Sequence, residues 1–409
     1  MRSMTATAAL AAVMTAGLCA PSAYAARTQT IYSFGGGNDG GFPLGGVIQD
    51  AQGNFYGTTS SGGSGHNGAV YQLSLNKGGK SWTQTTLYAF TGGNDGGNPQ
   101  AGLVADSQGN LYGTTYAGGA NGEGVVFQLS PPKKGGTTWT ETVLWTFTGG
   151  NDGGEPTASL VLDSQGNLYG TTDWGGTGVV GTVFKLSPPA KGKTWTETVL
   201  YNFTGNNDGG EPYGRVLLGS DGNIYGTTAG YGQYNNGTIF QLTASGQLNT
   251  LHAFQGDTDG EVPRDGLIEA PDGTLYGTTA GFAASYGNVY AIQKDGSGYT
   301  VLWTVTGNQG FTGNGPWQTV SRDPSTGALY GATFADGMSA NGEVFKLTPP
   351  AAGKKKWKST ILHVFEGGAD GQFAYTPVLI TDKWLYGTTK GYAGQSGFYP
   401  GTVWRIIKK

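Results

Sequence analysis

The sequence predicts an all-β protein, a seven-bladed β-propeller of four-stranded blades. The first observation is a motif, Tyr-Gly-Thr-Thr, which recurs with one lapse at Ala332; the copies begin at Tyr56, Tyr112, Tyr169, Tyr225, Tyr276, Tyr330 and Tyr386. Successive copies lie between 51 residues (Tyr225 to Tyr276) and 57 residues (Tyr112 to Tyr169) apart. The second is that each unit contains four short apolar runs, and the third is that no helical periodicity follows residue 25. A repeat of four short strands over the whole chain is typical of propeller blades.

The first 25 residues are predicted to be a cleaved signal peptide. Arg2 is followed by a largely apolar stretch from Ala8 to Leu18, and Ala23-Tyr24-Ala25 has the small residues of a cleavage site. The apolar stretch is shorter than the roughly 20 residues that cross a bilayer. We therefore expect a mature domain, residues 26–409, that is secreted to the periplasm, the cell surface or the medium.

The composition of the mature chain narrows the possible chemistry. Cys19 is the only cysteine and is removed with the signal peptide, which excludes disulfides, thiolate catalysis and cysteine–metal sites. Without Arg2, 22 of the 23 basic residues remain against 27 acidic ones, a net charge of −5. This balance gives no reason to expect a nucleic-acid partner. No later stretch is apolar enough to be a transmembrane segment.

The unit from Gly102 to Phe147 shows how the strands are assigned. Its apolar runs cover residues 103–105, 111–115, 125–129 and 142–147, and turn-rich loops cover 106–110, 116–124 and 130–138. In the fourth run we expect a simple period of two, with Val143, Trp145 and Phe147 on one face and Leu144 on the other. His252 and His363 replace Trp145 in other units, so we expect both to be packing residues.

The ends of the chain predict how the ring closes. The first strand, Thr28 to Phe34, is of the fourth type, and the last, Thr402 to Ile406, is of the third type. The N-terminal strand should therefore complete the blade that Pro377 to Ile380 and Trp384 to Thr389 begin, which removes an open edge.

The repeat resembles a known family. Asp106 to Thr115, then Gly118-Gly119 and Val126 to Leu129, with the parallel residues of the other units, is similar to the GloVer tandem repeat of bacterial exported proteins. The resemblance covers residues 28–408 and implies export and a propeller whose strand order looks like that of NHL-type propellers. It implies no particular chemistry.

Two faces of the ring are predicted to differ in charge. Loops that join fourth to first strands and second to third strands emerge on one face, which we call the top. They carry Asp39, Asp95, Asp152, Glu155, Asp208, Glu211, Asp257, Asp259, Glu261 and Asp370. The opposite, bottom face carries Lys77, Lys80, Lys133, Lys134, Lys191, Lys193, Lys354, Lys355, Lys356 and Lys358. Two interpretations stay open: both faces are merely solvated, or the bottom attracts an anionic cell-surface polymer.

The top also carries aromatic residues that the units do not share. They are Tyr116, Trp174, Tyr231, Tyr234, Phe282, Tyr286, Phe311, Trp317, Phe373, Tyr375, Tyr392, Phe398 and Tyr399. Rings beside amides and carboxylates are typical of a carbohydrate site, although the rings could also cap the blade tips. For a glycan ligand, we expect Trp174, Tyr234, Tyr286 and Trp317 to select the sugar.

Catalysis has few candidates. No histidine pair has metal-ligand spacing, so we expect no metal site, and we expect no cofactor. No serine elbow occurs, so we expect no Ser-His-Asp triad. An enzyme would use Glu211 and Glu261 with Arg215 and Arg264, which break the repeat. The arginines could instead pair with those glutamates. The recurring Asn-Asp-Gly-Gly loops are best explained as turns.

Two classes of function therefore remain. The sequence favours an exported protein that binds glycan or polysaccharide on its acidic, aromatic top face. The alternative is a polysaccharide lyase or glycoside hydrolase that uses carboxylates and arginine in the top cleft. Similar loops in many blades favour multivalent binding, and a single deep pocket would favour the enzyme.

Overall fold

The computed structural model is a ring of seven blades, each an antiparallel four-stranded sheet. It describes residues 28–192, 194–281, 287–305, 315–335, 341–394 and 397–408. The predicted signal peptide lies outside the described residues. The only helical element within the described ranges is one 3-10 turn, Gly368–Asp370.

The strands follow the repeat closely. Blades 1 to 3 contain β2 (Ile48–Gln49), β3 (Phe55–Thr59), β4 (Ala69–Leu75) and β5 (Trp82–Ala89); β6 (Val104–Ala105), β7 (Leu111–Thr115), β8 (Val125–Ser130) and β9 (Thr140–Thr146); and β10 (Val161–Leu162), β11 (Leu168–Thr172), β12 (Thr182–Ser187) and β13 (Thr196–Asn202). Blades 4 to 6 contain β14 (Leu217–Leu218), β15 (Ile224–Thr228), β16 (Thr238–Leu242) and β17 (Leu248–Ala253); β18 (Ile268–Glu269), β19 (Leu275–Thr279), β20 (Asn288–Ile292) and β21 (Thr300–Thr304); and β22 (Ser321–Arg322), β23 (Leu329–Thr333), β24 (Glu343–Thr348) and β25 (Lys358–Val364).

Blade 7 joins the two ends of the chain. Its strands are β26 (Leu379–Ile380), β27 (Trp384–Thr389), β30 (Thr402–Ile407) and, outermost, β1 (Thr28–Ser33). In the antiparallel pairing of β1 with β30, Thr28 lies opposite Ile406 and Ser33 opposite Thr402. A small hairpin of β28 (Tyr392–Gly394) and β29 (Gly397–Tyr399) extends from this blade.

The core lies between the blades. The described residues form seven buried clusters, each shared by two consecutive blades around the ring. Between blades 2 and 3, for example, Val126 and Phe147 pack with Leu160 and Phe184. Such burial stabilises by about 1.5–3 kcal/mol per large side chain, which explains why both faces of each sheet are apolar.

The expected period of two in the outer strands is wrong at one position. Val143 lies opposite Phe127, but Trp145 lies opposite Val126, the adjacent residue of β8. A β-bulge at Leu144 therefore turns Val143 to one face, while Leu144, Trp145 and Phe147 share the other. The same register shift occurs in all seven blades, and a bulge adds no residue type that would mark it in the sequence.

The residues of the repeated Tyr-Gly-Thr-Thr motif pack within each blade and join it to the next. A Cβ on Gly113 would lie 2.6 Å from the ring of Phe127, so that ring needs glycine beneath it. The Thr114 hydroxyl donates across the blade junction to the carbonyl of Ala158 at 3.3 Å. Equivalent threonines bridge most other junctions, and Ala332 cannot. Each such bond stabilises by about 1 kcal/mol.

The Asn-Asp-Gly-Gly loops use their aspartates internally. In five blades this carboxylate contacts the polar ring of the outer strand; the pairs are Tyr32–Asp39, Tyr88–Asp95, Tyr201–Asp208, His252–Asp259 and His363–Asp370. Both histidines thus take the place of a tyrosine, as packing residues would. The loops are turns built around these contacts.

Two partly buried glutamates in the outer strands predict a pH effect on stability. Burial, with Asp95 nearby, raises the pKa of Glu141 to about 7, and burial with Asp152 nearby does the same for Glu197. Because the folded pKa exceeds the unfolded one, the stabilisation by the neutral form is complete below pH 4.5 and is lost as the pH rises through 7. We expect Glu141→Gln to raise the free energy of unfolding at pH 8 by about 1 kcal/mol, allowing for solvent screening, and to change it little at pH 4.

Blade 1 contains the natural control. Gln84 occupies the position of Glu141 there, and its amide donates to the Asp39 carbonyl at 3.2 Å. Gln84→Glu should therefore destabilise the protein at pH 8 in urea titrations. Equal effects of Glu141→Gln at pH 4 and pH 8 would contradict the assignment.

Candidate functional site

The top end of the central channel collects the residues that differ most between blades. The innermost strands surround the channel, so the residues just before them meet at its top. These are Leu44, Gln100, Thr157, Tyr213, Arg264, Trp317 and Tyr375. The residues that follow each Tyr-Gly-Thr-Thr copy lie beside them: Ser60, Tyr116, Asp173, Ala229, Ala280, Phe334 and Lys390. We call this region the channel mouth; a cavity of about 530 Å³ opens along it, lined among others by Asp173, Arg215 and Arg264.

A strained backbone position holds the rim of the mouth. Six blades place a non-glycine residue at positive φ, between +53° and +59°, two residues before the inner position; these are Phe42, Asn98, Glu155, Glu211, Val262 and Phe373. The amide of Glu211 donates to the Val180 carbonyl at 2.8 Å, and its carbonyl accepts from the Ala229 amide at 3.0 Å. Bonds to two segments fix this residue despite the strain, so its side chain has a defined direction.

Carboxylates from blades 3 and 4 form one side, the acidic wall of Glu155, Asp173 and Glu211. The Tyr116 hydroxyl donates to Glu155 Oε2 at 2.8 Å. Burial, and then the charges of Glu155 and Glu211, raise the pKa of Asp173 to about 8, so this carboxyl is largely protonated at neutral pH. Its Oδ1 is buried and has no hydrogen-bond partner among the described residues.

Aromatic rings form the other side, the aromatic row of Trp317, Phe334 and Phe373. Trp317 stacks on Phe334 at 4.3 Å with 16° between the planes, and Phe334 stacks on Phe373 at 4.9 Å and 20°. The edge of Tyr375 closes the row against Trp317 at 5.5 Å. Rings stacked in this way cover each other's faces and present a row of apolar edges.

Cations lie where the wall and the row meet. The guanidinium of Arg264 lies 4.4 Å from the Trp317 ring centroid and 5.5 Å from that of Tyr213. Burial and the acidic neighbours Glu211 and Asp173 raise the pKa of Tyr213 to about 12, and Arg264 opposes that rise. Asp265, the next residue, is buried, and its carboxylate accepts hydrogen bonds from the backbone N–H groups of Gly266 at 2.7 Å and Thr319 at 3.0 Å. These bonds give Asp265 a structural role.

The structure distributes the predicted site residues unevenly. Arg215 and Arg264 line the cavity, whereas Glu211 and Glu261 do not. The charge of Glu211 still acts on Asp173. No salt bridge joins Arg215 to Glu211 within the described residues.

The four predicted sugar-selecting aromatics are also divided. Trp317 belongs to the aromatic row, and Trp174 is 50% exposed next to Asp173. Tyr234 lines a separate open groove of about 380 Å³ beside His252. Tyr286 lies outside the described residues.

Sequence reasoning missed Asp173, Phe334 and Lys390. Each directly follows a copy of the repeated motif, which is Tyr-Gly-Ala-Thr before Phe334, at a position where blades 4 and 5 have alanine. Alignment of the seven units would have marked this position, because a site built once on a symmetric ring must use positions that the repeat leaves free.

A metal-binding cluster and a membrane-spanning helix are both absent from the described ranges. No group of three or more His, Cys, Asp or Glu residues is arranged to hold a metal ion there. No helix in those ranges is long and apolar enough to cross a membrane.

The chain matches solved structures at low sequence identity. The extracellular domain of a hybrid two-component system from B. thetaiotaomicron is 10% identical, with a TM-score of 0.54; the match covers 92% of this chain and 39% of that one. A xyloglucanase from Xanthomonas campestris is 14% identical, with a TM-score of 0.49 and coverage of 92% and 55%. A protein of unknown function from Dyadobacter fermentans is 12% identical, with a TM-score of 0.46 and coverage of 93% and 98%. At such identities the likeness concerns the fold alone.

Sequence comparison identifies the family. No curated protein matches the chain. The Gloeobacter/Verrucomicrobia repeat, in contrast, matches over residues 20–214 and again over 163–404. These two matches together span nearly all of the seven blades, and the chain therefore belongs to the Gloeobacter/Verrucomicrobia repeat family.

Proposed function

We propose that this chain is an exported propeller that binds a glycan at the channel mouth. The observation that carries the proposal is the aromatic row, which lies with the acidic wall around the channel mouth; Asp173 of the wall and Tyr375, next to the row, line the cavity there. Sugar rings have apolar C–H faces that pack on aromatic rings and hydroxyls that bond to carboxylates. The mouth offers both kinds of group within one concave site.

Each side of the mouth has a defined part in this proposal. The ring edges of Trp317 and Phe334 support the apolar face of a sugar, while Glu155 and Glu211 accept hydrogen bonds from its hydroxyls. Protonated Asp173 donates one hydrogen bond, which its Oδ1–Oδ2 carboxyl can do only in the neutral form. Trp174, Tyr234 and Tyr286 remain proposed contacts for sugars that extend beyond the mouth.

We propose one binding site at the mouth, in place of the multivalent binding that the similar loops predicted from the sequence. The aspartates of most Asn-Asp-Gly-Gly loops are engaged within their own blades. The chemistry of the mouth, in contrast, changes from blade to blade. A second contact is expected at the bottom, where exposed lysines such as Lys354 and Lys355 would attract anionic cell-surface polymer.

The test of the proposal is the Trp317→Ala variant. A glycan array on the purified protein selects a ligand, and calorimetry then compares the variants. We expect Trp317→Ala to raise the Kd about five- to tenfold, because it removes an aromatic contact worth about 1 kcal/mol and the ring on which Arg264 rests.

Two further variants serve as comparisons. Leu75→Ala removes an exposed apolar side chain (44% exposed) on the bottom face and should not change the Kd. Tyr234→Ala tests whether the separate groove contributes. If no glycan binds, or if Trp317→Ala and Leu75→Ala behave alike, the mouth is not a glycan site.

One observation favours a second candidate, a glycoside hydrolase or polysaccharide lyase. Asp173 carries a proton near neutral pH between two other carboxylates, and a raised pKa next to an ionised carboxylate suits a general acid. Products with new reducing ends or unsaturated sugars would identify this activity.

A further inference from the structure

We propose that the glycan is acidic, with its carboxylate or sulfate groups bound by Arg264 and Lys390 at the two ends of the aromatic row. The inference rests on the proposed function and adds the chemical class of the ligand. Three observations support it: cations at the mouth that form no salt bridge with a described carboxylate, the place of Lys390 in the repeat, and the position of both cations relative to the stacked rings.

The first observation concerns the two arginines of the mouth. Arg215 and Arg264 both line the cavity. In the described residues, neither guanidinium forms a salt bridge, although three carboxylates stand on the neighbouring wall. Arg264 is instead held against the ring of Trp317. A guanidinium that is positioned by an aromatic ring keeps its N–H groups available for an oxygen anion.

Lys390 is likewise a cation without a salt bridge to a described carboxylate, at the Phe373 end of the aromatic row. Lys390 has the same position in blade 7 as Asp173 in blade 3 and Phe334 in blade 6. Its side chain therefore starts from the rim of the mouth. Its backbone amide donates to the Phe373 carbonyl at 2.9 Å, next to the last ring of the row. It is partly buried, burial lowers its pKa, and no described carboxylate pairs with it. A desolvated ammonium without a counter-ion is poorly stabilised until an anion binds.

The arrangement orients an acidic sugar. Its apolar side packs on the ring edges of Trp317 and Phe334, its acidic groups point to Arg264 or Lys390, and its hydroxyls face Glu155 and Glu211. The reverse orientation would place an anion against the acidic wall and is disfavoured by repulsion. A neutral glycan gains the stacking contacts but leaves the cations unpaired, which predicts a preference for acidic ligands.

The experiment compares matched acidic and neutral glycans. An array with uronic-acid and sulfated polysaccharides is probed together with their carboxyl-reduced and desulfated forms, which separates the two kinds of anion. We expect binding to acidic forms to exceed binding to their neutral counterparts at least tenfold. Lys390→Gln and Arg264→Gln should each weaken acidic binding about tenfold, the size of a charge-assisted contact, and should change neutral binding little. Lys185→Gln, a partly exposed lysine in the middle of β12 that belongs to neither proposed contact surface, is the control.

The outcomes separate the inference from the proposal beneath it. Equal affinity for acidic and neutral forms, or Lys390→Gln and Arg264→Gln variants that bind acidic glycans like the Lys185→Gln control, would overturn the inference while leaving a glycan site. Absence of any glycan binding would overturn both. Arg264→Lys retains the charge if Arg264→Gln unfolds, and it should keep the acidic preference.

Discussion

Removal of residues 26–35 is expected to destabilise the ring by about 5 kcal/mol or more. The deletion takes away β1 and leaves the edge of β30 unpaired. It also removes Ile31 and Phe34, which are 8% and 4% exposed, from the cluster between blades 7 and 1. Two such side chains stabilise by about 1.5–3 kcal/mol each, and the lost ladder hydrogen bonds add about 1 kcal/mol apiece. Because domains are stable by only about 5–15 kcal/mol, much of the truncated protein should unfold in chemical denaturation.

Point substitutions test the closure without deletion. Phe34 contacts the ring of Tyr71 at 5.0 Å, and Phe90 contacts Phe127 at 5.1 Å, in the same geometry one blade later. Phe34→Ala and Phe90→Ala should therefore cost similar amounts, about 3–5 kcal/mol each. A Phe34→Ala variant that unfolds like wild type, while Phe90→Ala is destabilised, would show that β1 does not close the ring.

The fold was predictable because the same pattern of four short strands recurs in seven units. Leu111 to Thr115 was expected as a strand and is β7, and the assignment of Trp384 to Thr389 matches β27. The bulge at Leu144 was not predictable, because it depends on how β9 meets β8 and leaves the apolar pattern unchanged. Periodicity specifies which residues are buried; register also depends on the partner strand.

The site was predictable only in outline. Arg264 and Trp317 stood out as departures from the repeat, but nothing in the sequence placed one over the other. Asp173 was overlooked because a single aspartate near a turn is ordinary. Its importance comes from Glu155, on the same blade, and Glu211, on the next. Neighbours across a ring arise from blade geometry, which fixes distances that sequence separation does not express.

Substitution of Asp173 by Asn is expected to stabilise the protein by a few kcal/mol at pH 9 and by little at pH 4. The folded pKa of Asp173, about 8, exceeds the ordinary value of 3.8. The folded state therefore keeps a proton that the unfolded state releases, and stability contributed by the neutral carboxyl is lost as the pH rises from about 4 through 8. Above pH 8 the wild type must hold a buried charge beside Glu155 and Glu211, whereas asparagine carries none.

The difference in unfolding free energy between wild type and Asp173→Asn should grow across that pH range and then level off. Tyr116, Tyr213 and Arg264 also lie near this group, but they are present in both proteins, so the difference isolates Asp173. Asp295→Asn, in an exposed loop, should leave the shape of the curve above pH 5 unchanged. A difference that does not depend on pH would mean that Asp173 is ionised throughout.

The same variant separates binding from catalysis. Asparagine keeps a hydrogen-bond donor but cannot transfer a proton. If the mouth only binds glycan, Asp173→Asn should retain most of its affinity at neutral pH, and no products should form with either protein. If Asp173 is a general acid, the wild type should release new reducing ends or unsaturated sugars, and the variant should lose at least a hundredfold in rate while it still binds. Turnover that survives in Asp173→Asn but is lost in Glu211→Gln would instead place the chemistry on Glu211, one of the residues predicted from the sequence.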